Sequence, residues 1–155
     1  MNRLRNIAIL LVLLSAAAYA APESDVVLAA KTFYPSVAWQ ESSVLRGDFS
    51  CRGKTESAIL GTSDKFIVVA IFANGLGAKP MTLEYSAKTR NAKSAVLTTE
   101  SRDFQSGEND GDGGELPEGY TSSKTCFGLN LSDGEVDSAH IYWDTKYKRF
   151  LDWTR

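Results

Sequence analysis

The apolar residues that follow Ser24 recur at steps of three and four positions, at Val26, Val27, Ala30, Phe33, Tyr34 and Val37. This spacing is the period of one face of an α-helix. The Ser24 hydroxyl can accept a hydrogen bond from a backbone N–H of the first turn, and a helix is expected to end before Pro35. The sequence therefore predicts a short amphipathic helix within residues 25–38.

After Gly47 the apolar positions alternate with polar ones, which is the period of a β-strand. One segment, 66–72, is apolar on both faces and β-branched, so we expect a central strand there that is covered on both sides. The predicted strands cover residues 55–60, 65–73, 81–87, 95–99, 125–131, 136–143 and 149–153. This pattern predicts an α+β fold, a mainly antiparallel β-sheet with one N-terminal helix in a single domain.

The first twenty residues have the features of a secretory signal peptide. Arg3 and Arg5 precede an apolar run at 7–14, and Ala18 and Ala20 place small residues before the expected cleavage site. The apolar run is shorter than the roughly 20 residues that span a bilayer as a helix. We therefore expect export to the periplasm or beyond, a mature domain at 21–155 and no stable membrane anchor; the alternative is an uncleaved anchor.

Composition limits the class of protein and the class of partner. The 155 residues are 43% hydrophobic and 23% charged, which suits one compact domain and excludes wholesale disorder, collagen and coiled coil. Loss of Arg3 and Arg5 with the signal peptide leaves 15 basic residues against 19 acidic ones. This balance gives no electrostatic reason to expect binding to nucleic acid or an anionic membrane, and it favours a basic protein partner.

Cys51 and Cys126 are the two cysteines of the chain, and both lie in the mature part. They do not form a Cys-x-x-Cys redox motif, and an oxidising compartment would join them. Such a bridge would stabilise the fold by roughly 4 kcal/mol in the chain-entropy model. We therefore predict a disulfide-stapled domain; the alternative is two buried free thiols.

The segment Gly47-Asp-Phe-Ser-Cys-Arg-Gly-Lys-Thr-Glu, continued by residues 57–60, resembles the aspartate-rich loop and strand of FG-GAP and VCBS repeats. The resemblance covers residues 47–60. In that family the loop binds calcium through alternating side-chain oxygens. The resemblance places Asp48 at the first ligand position, Gly53 at the turn glycine and Glu56 at the last aspartate.

Two positions of this loop depart from the family pattern. Ser50 replaces a carboxylate, and Arg52 brings a cation to a position where a calcium ligand is expected. Calcium needs six to eight oxygen ligands, so a reversed charge in the ligand set opposes its binding. We therefore interpret the segment as a structural turn tied down by Cys51, and we expect no metal; the alternative is a calcium site.

Residues 101–119 form a predicted surface loop whose part 106–115 has no apolar side chain. Asp110, Asp112 and Glu115 lie among glycines in this stretch. Their carboxylates have three possible uses: to bind calcium, to recognise a partner protein, or only to keep a flexible insertion solvated. We assign Asp110, Asp112 and Glu115 as candidate partner-binding residues.

His140 is the only histidine, so any histidine-dependent catalysis must use it. A five-residue turn at 144–148 would place His140 opposite Asp152, on the strand face that also carries Ser138. We interpret this arrangement as a polar pair on a sheet face. The alternative is a small secreted hydrolase that uses His140 and Asp152 with an unidentified nucleophile, although no Gly-x-Ser-x-Gly motif is present to expose a serine.

The three tryptophans suggest two roles. The same turn would direct Trp143 and Trp153 into the core, where their large apolar area is buried. Trp39 precedes a polar stretch and has less obvious cover, so it is a candidate binding anchor as well as a candidate lid over the core.

Taken together, these features of the sequence predict an exported, non-enzymatic protein without a cofactor that binds a partner protein, as inhibitors and immunity proteins do.

Overall fold

The computed structural model describes residues 24–103, 116–134 and 136–154, so the predicted signal peptide lies outside the described residues. One α-helix, α1 (Asp25–Phe33), precedes the strands. The strands are β1 (Ala38–Trp39), β2 (Leu45–Gly47), β3 (Glu56–Thr62), β4 (Phe66–Phe72), β5 (Met81–Ser86), β6 (Val96–Arg102), β7 (Ser123–Ser132), β8 (Ala139–Asp144) and β9 (Arg149–Thr154), with a 3₁₀ turn at Glu41–Ser43.

The helix begins and ends as its sequence predicts. The Ser24 hydroxyl accepts a hydrogen bond from the backbone N–H of Val27 at 3.3 Å, which caps the first turn. The last helical residue is Phe33, two positions before Pro35. Within the described ranges, no helix is long and apolar enough to cross a membrane.

The first sheet has the strand order β1-β3-β4-β5, with β2 also paired to β3, and every pairing is antiparallel. Its strand β4 is central and buried on both faces, as its apolar sequence predicts. Ala70 and Phe72 of β4 pack with the buried face of α1. Val69 and Ile71 point to the opposite side, into the larger core.

The second sheet is an antiparallel meander of β6, β7, β8 and β9. Leu97, Leu129, Leu131, Ile141 and Trp143 project from it into the same core as the inner face of the first sheet. The two sheets therefore pack face to face, and α1 covers the outer side of the first sheet. The prediction of mainly antiparallel sheet with one helix is confirmed, although the sequence pattern did not show that the strands divide into two sheets.

The predicted disulfide is present. Cys51 and Cys126 are bonded across a sequence separation of 75 residues, with their Cα atoms 5.2 Å apart. The bond joins the loop between β2 and β3 to the strand β7. The first and second sheets are therefore linked covalently as well as through their core.

The terminal hairpin differs from the prediction by one residue. Asp144 pairs with Arg149 across β8 and β9, so the turn contains four residues, 145–148, and not five. The Asp144 carboxylate accepts hydrogen bonds from the backbone N–H groups of Lys146 and Tyr147, each at 2.7 Å, which closes the shorter turn. A shift of one residue moves every side chain of β9 to the other face of the sheet.

Two predictions fail for this reason. His140 lies opposite Trp153, and Asp152 lies opposite Ile141 on the core-facing side, so His140 and Asp152 do not form a pair. Trp153 shares the outer face with His140 and is not a core residue, whereas Trp143 is buried in the core as predicted.

Candidate functional site

The outer face of the second sheet carries a group of polar and aromatic side chains. Alternation along the strands directs them away from the core that Ala139, Ile141 and Trp143 fill. We call this group the outer-face cluster; it consists of Glu100 on β6, Tyr120 before β7, Asn130 on β7, His140 and Tyr142 on β8, and Trp153 on β9.

A hydrogen-bonded triad forms the polar half of the outer-face cluster. The Nδ1 atom of His140 lies 2.7 Å from Oε2 of Glu100, and their side chains are 14% and 18% exposed. The Asn130 amide nitrogen lies 3.4 Å from the same carboxylate oxygen and 3.4 Å from Nδ1 of His140. Because Glu100 engages Nδ1, Nε2 is the ring atom through which His140 can bind a ligand or exchange a proton.

Gly128 makes room for the contact between β6 and β8. It lies opposite Glu100 on β7, the strand between them. A Cβ atom at this position would lie 3.0 Å from Cγ of Glu100 and 3.2 Å from the backbone oxygen of Ile141. The missing side chain lets the Glu100 side chain cross β7 and reach His140.

Aromatic rings form the other half of the outer-face cluster. The Trp153 ring centroid lies 5.2 Å from that of His140 and 6.4 Å from that of Tyr120, and Tyr120 lies 5.4 Å from Tyr142. Burial raises the pKa of both Tyr120 and Tyr142 above the ordinary value of 10.0, so their hydroxyls keep their protons into more alkaline solution. The Tyr142 hydroxyl donates to the backbone oxygen of Glu118 at 3.4 Å.

Asp152 belongs to a different neighbourhood from His140. It lies on the core-facing side of β9, near Tyr85 of β5. Burial, with the negative charge of Asp152 second, raises the pKa of Tyr85. The predicted hydrolase pair of His140 and Asp152 is therefore wrong, and Glu100 is the carboxylate that orients His140.

The loop that resembles a calcium-binding loop is closed by its own side chains. The Asp48 carboxylate accepts hydrogen bonds from the backbone N–H groups of Arg52 at 2.9 Å and Gly53 at 2.7 Å. The buried Glu56 carboxylate accepts from the Ser50 backbone N–H at 2.9 Å and from the Arg52 guanidinium at 2.9 Å. The Arg52 guanidinium thus neutralises the carboxylate that the resemblance assigns as the last ligand. Across the described ranges, no three His, Cys, Asp or Glu side chains lie close enough together to hold a metal ion.

The candidate anchor Trp39 is half-buried on the helix side of the first sheet. Its Nε1–H donates to the backbone oxygen of Tyr34 at 3.3 Å, and the ring packs with the cluster beneath α1. A Cβ atom at Gly61 would lie 2.6 Å from Cε3 of Trp39, so the ring rests directly on the backbone of β3. Trp39 therefore covers part of the core, and it lies on the first sheet, not in the outer-face cluster.

The candidate residues Asp110, Asp112 and Glu115 lie outside the described residues. The chain on either side of their segment is described. The Tyr120 hydroxyl donates to the backbone oxygen of Arg102 at 3.1 Å, so the strand that leads into the segment and the chain that leaves it meet at the edge of the outer-face cluster.

Sequence reasoning missed Glu100, Tyr120 and Asn130 as members of a site. The alternation of polar side chains on β6 and β7 was visible in the sequence, but it did not show which strands are neighbours. Comparison of the chain with protein-family models, with curated proteins and with solved structures found no match.

Proposed function

We propose that the mature chain, residues 21–155, is an exported single-domain protein that binds a partner protein without catalysing a reaction, in the manner of an inhibitor or immunity protein. One observation carries this proposal: the outer-face cluster combines aromatic rings with a hydrogen-bonded polar triad on a sheet. Binding surfaces gain much of their affinity from such aromatic residues.

The construction of the outer-face cluster suits recognition. Trp153 and Tyr120 are partly exposed aromatic side chains with few rotatable bonds, so little conformational entropy is lost when a partner contacts them. Glu100, Asn130 and His140 already bond to one another, which fixes their orientation before a partner arrives. A site on paired strands is held more firmly than one on a loop.

Charge supports a basic partner. The mature chain has an excess of acidic residues. In the sequence, Asp110, Asp112 and Glu115 lie between Arg102 and Tyr120, whose hydrogen bond lies at the edge of the outer-face cluster. In this proposal these carboxylates accelerate the encounter with the partner, and the aromatic rings hold it. Trp39, on the first sheet, is a second and separate candidate contact.

The first experiment identifies the partner and maps the contact. The mature protein, immobilised, is used to capture proteins from periplasmic and foreign cell-wall enzyme fractions, and the association of the captured protein is then measured by surface plasmon resonance. Trp153→Ala is expected to raise Kd at least tenfold, because hot-spot aromatics contribute about 2 kcal/mol or more. Tyr147→Ala, which removes an exposed ring in the β8–β9 turn, is the matched control and should leave Kd unchanged.

A second set of variants tests the role of charge. Asp110→Asn, Asp112→Asn and Glu115→Gln together should slow association and weaken its dependence on salt. The control Asp64→Asn, Glu84→Gln and Asp137→Asn changes the net charge equally at exposed positions elsewhere. Equal slowing by both triples would contradict a local role for the acidic segment.

The His140–Glu100 pair favours a second candidate function, a small secreted hydrolase. A carboxylate that orients an imidazole is the arrangement by which a histidine acts as a general base. His140→Ala separates the two candidates. If this variant folds normally and loses activity against a substrate on which the wild type acts, the hydrolase replaces the binding protein; if it only changes Kd, the binding function stands.

A further inference from the structure

The disulfide lies beside a buried cation. Nη1 of Arg102 is 3.1 Å from Sγ of Cys51, and Arg102 is 1% exposed. The other contacts of the guanidinium are weak: Nη2 lies 3.5 Å from the backbone oxygen of Trp143, and the Tyr120 ring lies 4.8 Å from Cζ. Nε has no hydrogen-bond partner, and among the described residues no carboxylate forms an ion pair with Arg102.

This environment favours a negative charge on the sulfur of Cys51. A buried guanidinium without a carboxylate partner is costly, and a disulfide sulfur is only a weak acceptor. Reduction of the disulfide would make the same sulfur a thiol, and its thiolate would form an ion pair with the buried guanidinium of Arg102. A neighbouring arginine is one of the features that stabilises a reactive thiolate.

The other charged groups of the loop between β2 and β3 do not cancel the attraction between Arg102 and a thiolate at Cys51. Arg52 and Glu56 neutralise each other at 2.9 Å. The Asp48 carboxylate opposes a thiolate, but it is occupied by the backbone N–H groups of Arg52 and Gly53. Arg102 is therefore the charge in direct contact with the sulfur of Cys51.

The two cysteines differ in accessibility and in backbone conformation. Cys126 is 3% exposed within β7, whereas Cys51 is an exposed residue of the loop. Cys51 also has a φ of 56°, in the left-handed region that non-glycine residues avoid. The disulfide is one of the constraints that hold Cys51 in this conformation, so the backbone strain, like Arg102, favours reduction.

We propose that Cys51–Cys126 is an exchange-active disulfide and that Cys51 is its reactive thiol. A dithiol reductant attacks one sulfur through its thiolate, the S–S bond breaks, and a mixed disulfide forms. The second thiol of the reductant then displaces the protein sulfur and leaves as a cyclic or bridged disulfide. Two electrons and two protons pass to the protein, and the Cys51 proton is released to solvent as Arg102 binds the thiolate. The Cys51 thiolate can then attack the disulfide of another molecule, which forms a mixed disulfide and releases the second sulfur of that molecule as a thiolate.

The test uses two mature chains with a single cysteine each, Cys126→Ser and Cys51→Ser, both checked for folding by circular dichroism. The rate of alkylation by iodoacetamide is measured from pH 6 to pH 9. Each rate at pH 6.5 is divided by the rate of the same thiol at pH 9, which removes the difference in accessibility between the two thiols. This ratio should be about tenfold higher for Cys51 than for Cys126, since thiolate is the reactive form and each unit of pKa changes its population tenfold. Adding Arg102→Gln should remove most of this advantage, and Arg102→Lys should keep part of it.

A second measurement follows the intact disulfide. The wild type is equilibrated with reduced and oxidised dithiothreitol, and the thiol form is counted by mass after alkylation. Arg102→Gln should shift the equilibrium about tenfold towards the disulfide, whereas the exposed Arg46→Gln should not. If the ratio of the alkylation rates at pH 6.5 and pH 9 is no higher for Cys51 than for Cys126 in folded chains with Arg102 intact, the proposal is overturned, even if Arg102→Gln itself does not fold.

Discussion

Single residues decide whether the outer-face cluster can form. Glu100 reaches His140 because Gly128 leaves the space between β6 and β8 open. Asp144 closes a four-residue turn and thereby places Trp153 beside His140 and directs Asp152 to the other side of the sheet. The contact of Glu100 with His140 thus depends on the missing side chain of Gly128, and the position of Trp153 depends on the carboxylate of Asp144.

Gly128→Ala should disturb the triad and lower stability. Its Cβ would press on Glu100 and on the backbone of Ile141, and overpacking of this kind costs roughly 1–3 kcal/mol. Gly77→Ala is the matched control, because a Cβ at Gly77 meets no atom within 4 Å. Urea denaturation measures the stability of both variants, and NMR of the His140 ring reports whether the triad of Glu100, Asn130 and His140 is intact. An unchanged midpoint and ring signal for Gly128→Ala would show that the glycine is not needed there.

At the scale of one element, the loop between β2 and β3 is held in place by the charges of its own side chains. Arg52 brings a guanidinium to Glu56 and also lies over the Trp143 ring, with Cζ 5.4 Å from the centroid. The loop is thereby attached to β8 as well as to β7, through Cys126. Its order comes from hydrogen bonds, one disulfide and one cation–π contact.

Calcium should therefore leave the melting temperature unchanged. A ligand stabilises a fold only if it binds the native state, and the Arg52 guanidinium already neutralises the buried Glu56 carboxylate. Differential scanning fluorimetry with millimolar calcium, and then with excess chelator, measures this directly. A rise of several degrees that the chelator reverses would mean that the loop binds calcium despite Arg52.

The whole molecule is a pair of sheets, and the partly buried Tyr85 of β5 packs against their shared core. Burial and the nearby Asp152 raise the pKa of Tyr85 above its ordinary value of 10.0. The folded protein therefore keeps this proton at a pH where the unfolded chain loses it. The contribution of Tyr85 to stability is full below pH 10 and is lost as pH rises above that value.

Stability should thus fall steeply in alkali, and Tyr85 should cause part of the fall. The slope from one such tyrosine is at most about 1.4 kcal/mol per pH unit. Thermal melts from pH 8 to pH 11.5 compare the wild type with Tyr85→Phe and with Tyr147→Phe, which alters an exposed ring. Tyr85→Phe should flatten the decline above pH 10 and Tyr147→Phe should not; equal slopes in all three proteins would contradict this assignment.

Local chemistry determined those parts of the fold that depend on neighbours in the chain. Ser24 and Pro35 bound the helix, and the unbroken apolar run of β4 requires cover on both faces. Cys51 and Cys126 were paired correctly because the chain has no other cysteine. The ends of the helix and the burial of β4 depend on residues that are close together in the chain, and the disulfide had only one possible pairing.

Tertiary structure decided the rest. Alternation gives the two faces of each strand, but the division into two sheets and the order of strands within them depend on long-range packing. The outer-face cluster joins Glu100, Asn130 and His140 from three strands, and a one-residue change in the turn length would replace Trp153 by Asp152 on that face. Side-chain pairing across strands depends on register. Here the buried Asp144 is the last residue of β8 and not the first residue of the turn, and its carboxylate accepts hydrogen bonds from two backbone N–H groups of the turn, which fixes the register.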